Sequence, residues 1–311
     1  RVYVKKSIIN QGGRRMRLGG LEAGGTKMVL CVGDEKGEIF EQISIPTGTP
    51  AETVPDIIKW FSDKNIEALG IGCFGPVDVS PESPTYGQIL ETPKLPWVHY
   101  DLLKELQKDI KVPMKIDTDV NGSCLGEMVF GCAKGIDSVV YVTIGTGIGV
   151  GIAIGGKLVH GMLHPEAGHI IVNKHPEDKG NCICPYHDAC LEGLAAGPSI
   201  EKRWNKKAYD LEDNDLAWEI ESDYIAQALV NYILTVSPKK IILGGGVMHQ
   251  ERLFPLIRQK VTKLLNGYLN TPEIRDMNNY IVPNSLNDNQ GILGAIELGR
   301  QAYEENKAKE L

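Results

Sequence analysis

The densest reactive cluster in the sequence is Cys182, Cys184, His187 and Cys190, in which the last three form a C-x2-H-x2-C run. Three soft or borderline ligands in one turn-rich loop, with His169 upstream as a fourth, make up the tetrahedral shell that zinc takes. Four protein ligands leave no open position, so the expected metal is structural and shapes the loop without activating water. Cys182 is then one ligand too many, either a competitor of Cys184 or a bystander thiol. A second group is made of glycines: Gly24-Gly25-Thr26-Lys27, Gly145-Thr146-Gly147-Ile148-Gly149 and Gly244-Gly245-Gly246. Glycines let backbone N–H groups approach a ligand with no Cβ in the way, and a threonine hydroxyl adds a donor, so two such loops suit a polyphosphate. Taken singly each is an ordinary tight turn, and none has the spacing of a Walker A or a dinucleotide fingerprint. The third group is Asp117-Thr118-Asp119-Val120-Asn121, which follows an apolar run. There Asp119 is placed to act as a base. The alternative is that Asp117, Asp119 or Asn121 caps the helix that follows.

These residues need elements to hold them, and the pattern around them is that of an α/β protein. Leu18–Glu22, Met28–Val32 and Ile39–Ile45 read as a three-strand meander turned by the first glycine cluster. Val54, Ile57, Ile58 and Phe61 recur at helical spacing, which predicts a helix over Thr53–Asp63; Ala68–Phe74 then reads as a buried strand. Tyr100–Ile110 and Met114–Ile116 repeat helix and strand, and Gly122–Val129 reads as helical. The proline-bearing stretch Gly75–Trp97 is long enough to be a functional loop. A second meander, Val139–Ile144 and Val150–Ile154, turns at Gly145-Thr146-Gly147. Two strand–glycine–threonine–strand units suggest a duplicated α/β domain, the alternative being coincidence between two hairpins. Asp215–Leu234 reads as a long helix, Lys240–Leu243 as a strand and Gln290–Asn306 as a final helix.

Composition narrows the function. The 311 residues carry 33 Lys+Arg against 40 Asp+Glu, a formal net charge of −7. That balance argues against a nucleic-acid partner. No apolar run approaches the roughly 18 residues of a membrane span, so no membrane partner is expected. Seven cysteines, an odd number, and no secretory leader in Arg1–Arg15 point to a reducing compartment, read as cytoplasmic. Residues 1–15 read as an extension ahead of a start at Met16.

Together these motifs resemble the ROK family of repressors, open reading frames and sugar kinases, and most closely its fructokinase branch, from about Arg17 to Tyr303. Leu21-Glu22-Ala23-Gly24-Gly25-Thr26-Lys27 is similar to the family's first phosphate motif, with Glu22 where aspartate is more usual. Thr143-Ile144-Gly145-Thr146-Gly147-Ile148-Gly149 resembles the second, and Leu243-Gly244-Gly245-Gly246 the adenosine-side loop. Asp117–Asn121 resembles the catalytic segment, with Asp119 at the base position; Thr118 stands where many family glucokinases have asparagine, which points away from glucose. Gly75-Pro76-Val77-Asp78 is similar to a sugar loop, Glu166-Ala167-Gly168-His169 to the motif holding a sugar contact and the first zinc ligand, and Glu192 to a further sugar contact. Cys184, His187 and Cys190 match the remaining zinc positions, and Cys182 matches none.

The resemblance implies two duplicated actin-like (ribonuclease H-like) α/β domains, 16–121 and 122–291, with helix 292–311 packing back on the first. It also implies ATP with Mg2+, a structural Zn2+, a sugar in the interdomain cleft, and a homodimer. Thr118, Asp119, Glu166, His169 and Glu192, with Gly75, Pro76 and Val77, would hold the sugar. Gly24, Gly25, Thr26, Lys27, Thr143, Gly145, Thr146, Gly147 and Gly244–Gly246 would hold the nucleotide. The expected activity is phosphorylation of fructose to fructose 6-phosphate; the alternatives are a broader hexokinase for mannose or glucose, a zinc-stapled sugar-binding protein without catalysis, and a sugar-responsive repressor. A repressor would carry a helix-turn-helix domain ahead of the first phosphate motif, and only 21 residues precede Glu22.

Overall fold

The computed structural model describes residues 15–211 and 214–310; the expected extension, apart from Arg15, lies outside them. The chain divides into two compact units. One runs up to Gly135 and adds residues 159–164 and everything from Ser285; the other comprises 136–158 and 165–284.

In the first unit β1 (Leu18–Ala23), β2 (Lys27–Gly33) and β3 (Ile39–Pro46) form the antiparallel meander. Helix α1 (Pro50–Phe61) leads to β4 (Ala68–Cys73), and α2 (Leu102–Asp109) leads to β5 (Met114–Thr118), both strands parallel to β1. Helix α3 (Asp119–Val129) follows at once. The sheet order is β3-β2-β1-β4-β5. β4 is buried along its whole length and β1 along all but Glu22, which is why both read as continuous apolar runs. α1 begins three residues before the expected Thr53. Pro50 takes the first helical position and the Glu52 carboxylate accepts from the Thr49 N–H at 2.8 Å, so the start is set by polar capping that precedes the apolar stripe.

The second unit repeats the plan. β6 (Val139–Ile144), β7 (Ile148–Ile154) and β8 (Lys157–Leu158) form a meander, followed by α4 (Leu191–Ala195), α5 (Gly197–Trp204) and α6 (Asp215–Val236). β9 (Lys240–Gly244) pairs parallel with β6. Helices α7 (Leu253–Leu265), α8 (Pro272–Arg275) and α9 (Met277–Tyr280) lead to β10 (Ile281–Pro283), parallel to β9. The order β10-β9-β6-β7-β8 is that of the first sheet with each strand replaced by its counterpart five places on. The two hairpins are therefore a duplication, and the fold is the two-domain actin-like α/β class.

Helix α10 (Gln290–Glu310) lies in the first unit and packs against α3, β1 and β4. Glycines make this approach close: a Cβ at Gly126 would lie 3.1 Å from the Gly294 nitrogen, and one at Gly294 would lie 2.8 Å from Gly122 Cα. Because α3 and α10 share this contact, the unit boundary falls at Gly135 and not at Asn121. β5 runs two residues beyond the expected Ile116, and α3 starts at Asp119 and not at Gly122. Among the described residues no helix is long and apolar enough to cross a membrane.

Candidate functional site

The first unit gathers two carboxylates at the ends of neighbouring elements. Thr118 caps α3, its Oγ1 accepting from the Asn121 N–H at 3.1 Å. The cap is therefore neither aspartate nor Asn121, and Asp119 occupies the first helical turn, its Oδ1 accepting from the Val120 N–H at 2.8 Å. Glu22, near the end of β1, faces it: burial, then the neighbouring Asp119 charge, push the Glu22 carboxyl up to about 7, against a lowering by Lys27. Two acidic groups that resist joint ionisation are a ready place for a cation or a proton. A Cβ at Gly291 on α10 would lie 2.5 Å from Glu22 Oε1, so that glycine leaves the room Glu22 occupies.

Asp117 has a different task. Its Oδ1 accepts from the Thr118 N–H at 2.8 Å and from Asn121 Nδ2 at 2.7 Å, and its Oδ2 lies 2.8 Å from His160 Nε2. The pair holds His160 above its ordinary pKa through that hydrogen bond, and Asp117 is buried. It ties the start of α3 to His160 and offers no free oxygen to a ligand.

The first glycine turn is braced from behind. Thr47 Oγ1 donates to Gly24 O at 2.7 Å and its N–H to Thr26 O at 3.0 Å. A Cβ at Gly24 would lie 2.6 Å from Lys27 O, and one at Gly25 would lie 2.9 Å from Lys94 Cε. Lys94 thus brings an ammonium beside the turn, which nothing in its local sequence signals. Gly75 and Pro76, joined by a cis peptide, open the long loop. Val77 is buried in the hydrophobic core, so only its backbone is available to a ligand. Asp78 is consumed by the loop itself, accepting from Ser80 N–H, Ser83 Oγ and Thr85 Oγ1.

In the second unit the two remaining glycine clusters meet. Thr143 on β6 pairs with Gly244 on β9, and the Gly197 N–H at the start of α5 donates to Gly145 O at 2.8 Å. Gly245 has φ +89°, and a Cβ there would lie 2.6 Å from the Ile144 nitrogen, so only glycine fits. A cavity of about 660 Å3 opens over these turns, lined among others by Gly145, Thr146, Gly197, Glu201, Tyr209 and Gly246. That is ample for a nucleotide. Gly147 turns away from it and lies over Glu192.

The cysteine loop is folded onto the start of α4. Val172 N–H donates to Ala189 O and Leu191 N–H to Ile170 O, which sets His169 beside Cys190; the Ile183 N–H donates to Gly193 O and brings Cys184 in. His169, Cys184, His187 and Cys190 all place a ligand atom within 4.8 Å of one another. Cys184 Sγ lies 3.3 Å from His187 Nδ1 and 3.9 Å from His169 Nδ1, and Cys190 Sγ lies 3.6 Å from His169 Nδ1. A tetrahedral zinc with ordinary Zn–S and Zn–N lengths separates its ligands by about 3.3–3.8 Å, so the donor set fits the ion. Cys182 stands outside this group, its sulfur packed at Gly193.

His169 faces the cluster with Nδ1 and directs Nε2 to Glu192 Oε1 at 3.6 Å, while Glu192 Oε2 accepts from the Ile148 N–H at 2.8 Å. The second ring nitrogen of a ligating histidine commonly meets such a carboxylate. Glu166 stands at the head of the turn Ala167–His169 without capping it through its side chain; burial pushes its carboxyl up, with His169 opposing and the Glu192 charge adding to the rise. Glu166, His169 and Glu192 thus form one polar group beside the second glycine turn.

The sequence matches the ROK family over residues 18–302, and the chain belongs to that family. It is 51% identical over 292 residues to a putative fructokinase of Bacillus subtilis, covering 94% of this chain and 98% of that protein. A fructokinase of Pediococcus pentosaceus is 46% identical over 287 residues, covering 92% and 99%. Among solved structures, the ROK hexokinase of Thermus thermophilus superposes with a TM-score of 0.77 at 23% identity, covering 93% of this chain and all of that one.

Proposed function

We propose that Asp119 is the general base of an ATP-dependent fructokinase. The chain is a sugar kinase that phosphorylates fructose, the activity named for relatives that are 42–51% identical to it. The observation that carries the reading of Asp119 is its place: the first turn of α3, immediately after a parallel strand, beside Glu22, whose ionisation is suppressed by burial and then by the Asp119 charge. Open α/β sheets bind their ligands at such strand ends.

Phosphoryl transfer asks the protein to position reactants and to neutralise charge. Asp119 accepts the proton of the fructose 6-hydroxyl as that oxygen bonds to the γ-phosphorus and ADP leaves. The turns at Gly145-Thr146 and Gly246 cradle the nucleotide phosphates over the 660 Å3 cavity; within the first unit, Gly24–Lys27 with Lys94 offers backbone donors and positive charge. Glu22 would offer Mg2+ a carboxylate oxygen of the kind it takes beside phosphates, leaving Asp119 free as the base. Glu166 and Glu192 hydrogen-bond ring hydroxyls, as a selective polyol site requires, with His169 orienting Glu192. Zn2+, held by His169, Cys184, His187 and Cys190, would supply a cross-link that fixes the His169 ring and, through it, Glu192.

Asp119→Asn keeps the shape and removes the base. Its turnover with fructose should fall by roughly 10²–10⁴-fold, with fructose affinity from equilibrium titration retained. Turnover equal to the wild type would sink the assignment.

A further inference from the structure

Helix α5 serves two cavities. Gly197, Pro198 and Glu201 line the nucleotide-sized one, whereas Lys202, Arg203 and Trp204 at its other end line a second, of about 370 Å3, in the same unit. The stretch Glu177–Asn181, which leads into the Cys/His loop, and Leu216 and Ile220 of α6 complete its walls.

Arg203 is built into this wall. Its side chain is 5% exposed, Nε donates to Asp178 Oδ1 at 2.9 Å and Nη2 to Leu194 O at 2.6 Å. Yet Nη1 is buried with no acceptor among the described residues, and the indole Nε1–H of Trp204 is buried in the same condition. Buried donors are almost always satisfied, and two unmade ones on adjacent lining residues call for an acceptor in the cavity. The charge around them favours an anion. Lys179 and Lys202 add two ammonium groups against the single carboxylate of Glu177. Asp178 is already engaged: burial opposes its ionisation, but Tyr224 Oη, the Gly180 N–H and Arg203 outweigh that and hold its carboxyl below the ordinary range. Glu221, fully buried on α6 with neither carboxyl oxygen partnered among the described residues, has its carboxyl pushed well up by burial, with Arg203 opposing.

We propose that this cavity is a second ligand site, separate from the nucleotide cavity, for a small phosphorylated polyol. The phosphate group accepts from Arg203 Nη1 and Trp204 Nε1 and is neutralised by Lys179 and Lys202, as phosphate recognition by guanidinium and ammonium groups commonly runs. The volume exceeds what a bare phosphate fills, and Asn181 with Glu177 offers partners for hydroxyls on the rest of the molecule. The site does not depend on the kinase reading; that its natural occupant is the sugar phosphate the enzyme makes does.

The test is calorimetric titration of inorganic phosphate and of fructose 6-phosphate into the chain saturated with fructose and a non-hydrolysable ATP analogue, which fill the catalytic site. One further equivalent should bind, weakened roughly 10-fold or more in Lys202→Gln and in Trp204→Phe, while both variants keep kinase turnover. Lys202 is exposed, so its variant folds whatever the fate of the other. Tighter binding of fructose 6-phosphate than of phosphate marks the sugar phosphate as the ligand, and equal affinities mark the phosphate group alone. No binding with the catalytic site filled, or equal affinity in wild type and both variants, overturns the proposal. Failure of the kinase reading would show separately, as no ADP release by the wild-type chain.

Discussion

The pairing of Glu22 with Asp119 makes a pH-dependent prediction at the level of single residues. The Glu22 carboxyl titrates at about 7 in the folded chain against an ordinary value of 4.5. A group with a raised folded value stabilises fully below its unfolded value and loses that contribution as pH rises through the folded one. The ligand-free wild type should therefore lose stability between pH of about 4.5 and 7 through this group, whereas Glu22→Gln should not. Thermal unfolding midpoints should favour the variant at pH 8 more than at pH 4; an unchanged difference at the two pH values would contradict the account. Lys94 makes a second prediction. If its ammonium serves the phosphate turn at Gly25, Lys94→Ala should raise the KM for ATP by roughly 10-fold, and an unchanged KM would show that it merely covers the glycine. Asp119 is a candidate from the sequence because it sits in a compact polar run after an apolar strand, His169 because it lies upstream of the cysteine loop, and Glu166 only through the family resemblance. Lys94 and His160 were not legible there, since the groups that give them meaning, Gly25 and Asp117, lie far along the chain and meet them only through the fold.

Among the elements, the Cys/His loop has almost no regular structure of its own between Ile170 and Leu191, and the proposed zinc is tested there. Elemental analysis should find one equivalent of zinc retained in Cys182→Ser and lost in Cys184→Ser; the reverse would move the site to Cys182. Chelation should also weaken fructose binding, because the histidine that faces the cluster also faces Glu192. The α3–α10 contact makes a purely structural prediction: Gly294→Ala inserts a methyl against the Gly122 backbone and should destabilise by about 1–3 kcal/mol, read as a lower unfolding midpoint. The central strands and both meanders were legible because hydrophobic runs and glycine turns are local signals. The start of α3 was not: Asp117, Asp119 and Asn121 all have the residue types of a cap, and only the backbone geometry gives the role to Thr118. The three-residue strand β10 carries too few residues to show a period.

For the whole molecule, the repeated strand order explains why similar glycine turns recur 121 residues apart, as in Gly24-Gly25-Thr26 and Gly145-Thr146-Gly147. A turn between the first two strands of each meander, with its backbone donors at the sheet end, was copied with the domain, and each copy then gained its own neighbours: Lys94 in one unit, Gly197 and Gly244–Gly246 in the other. The Cys/His loop and the cavity behind α5 belong to the second unit alone, which is why nothing in the duplication foretold them. The account stands on the chain being a fructose-directed kinase. A coupled assay of ADP release, run with fructose, mannose and glucose in turn, tests this most directly. It should give kcat/KM for fructose above the other two by roughly 10-fold or more. Absence of ADP release with every hexose, or a preference for glucose of that size, would contradict it.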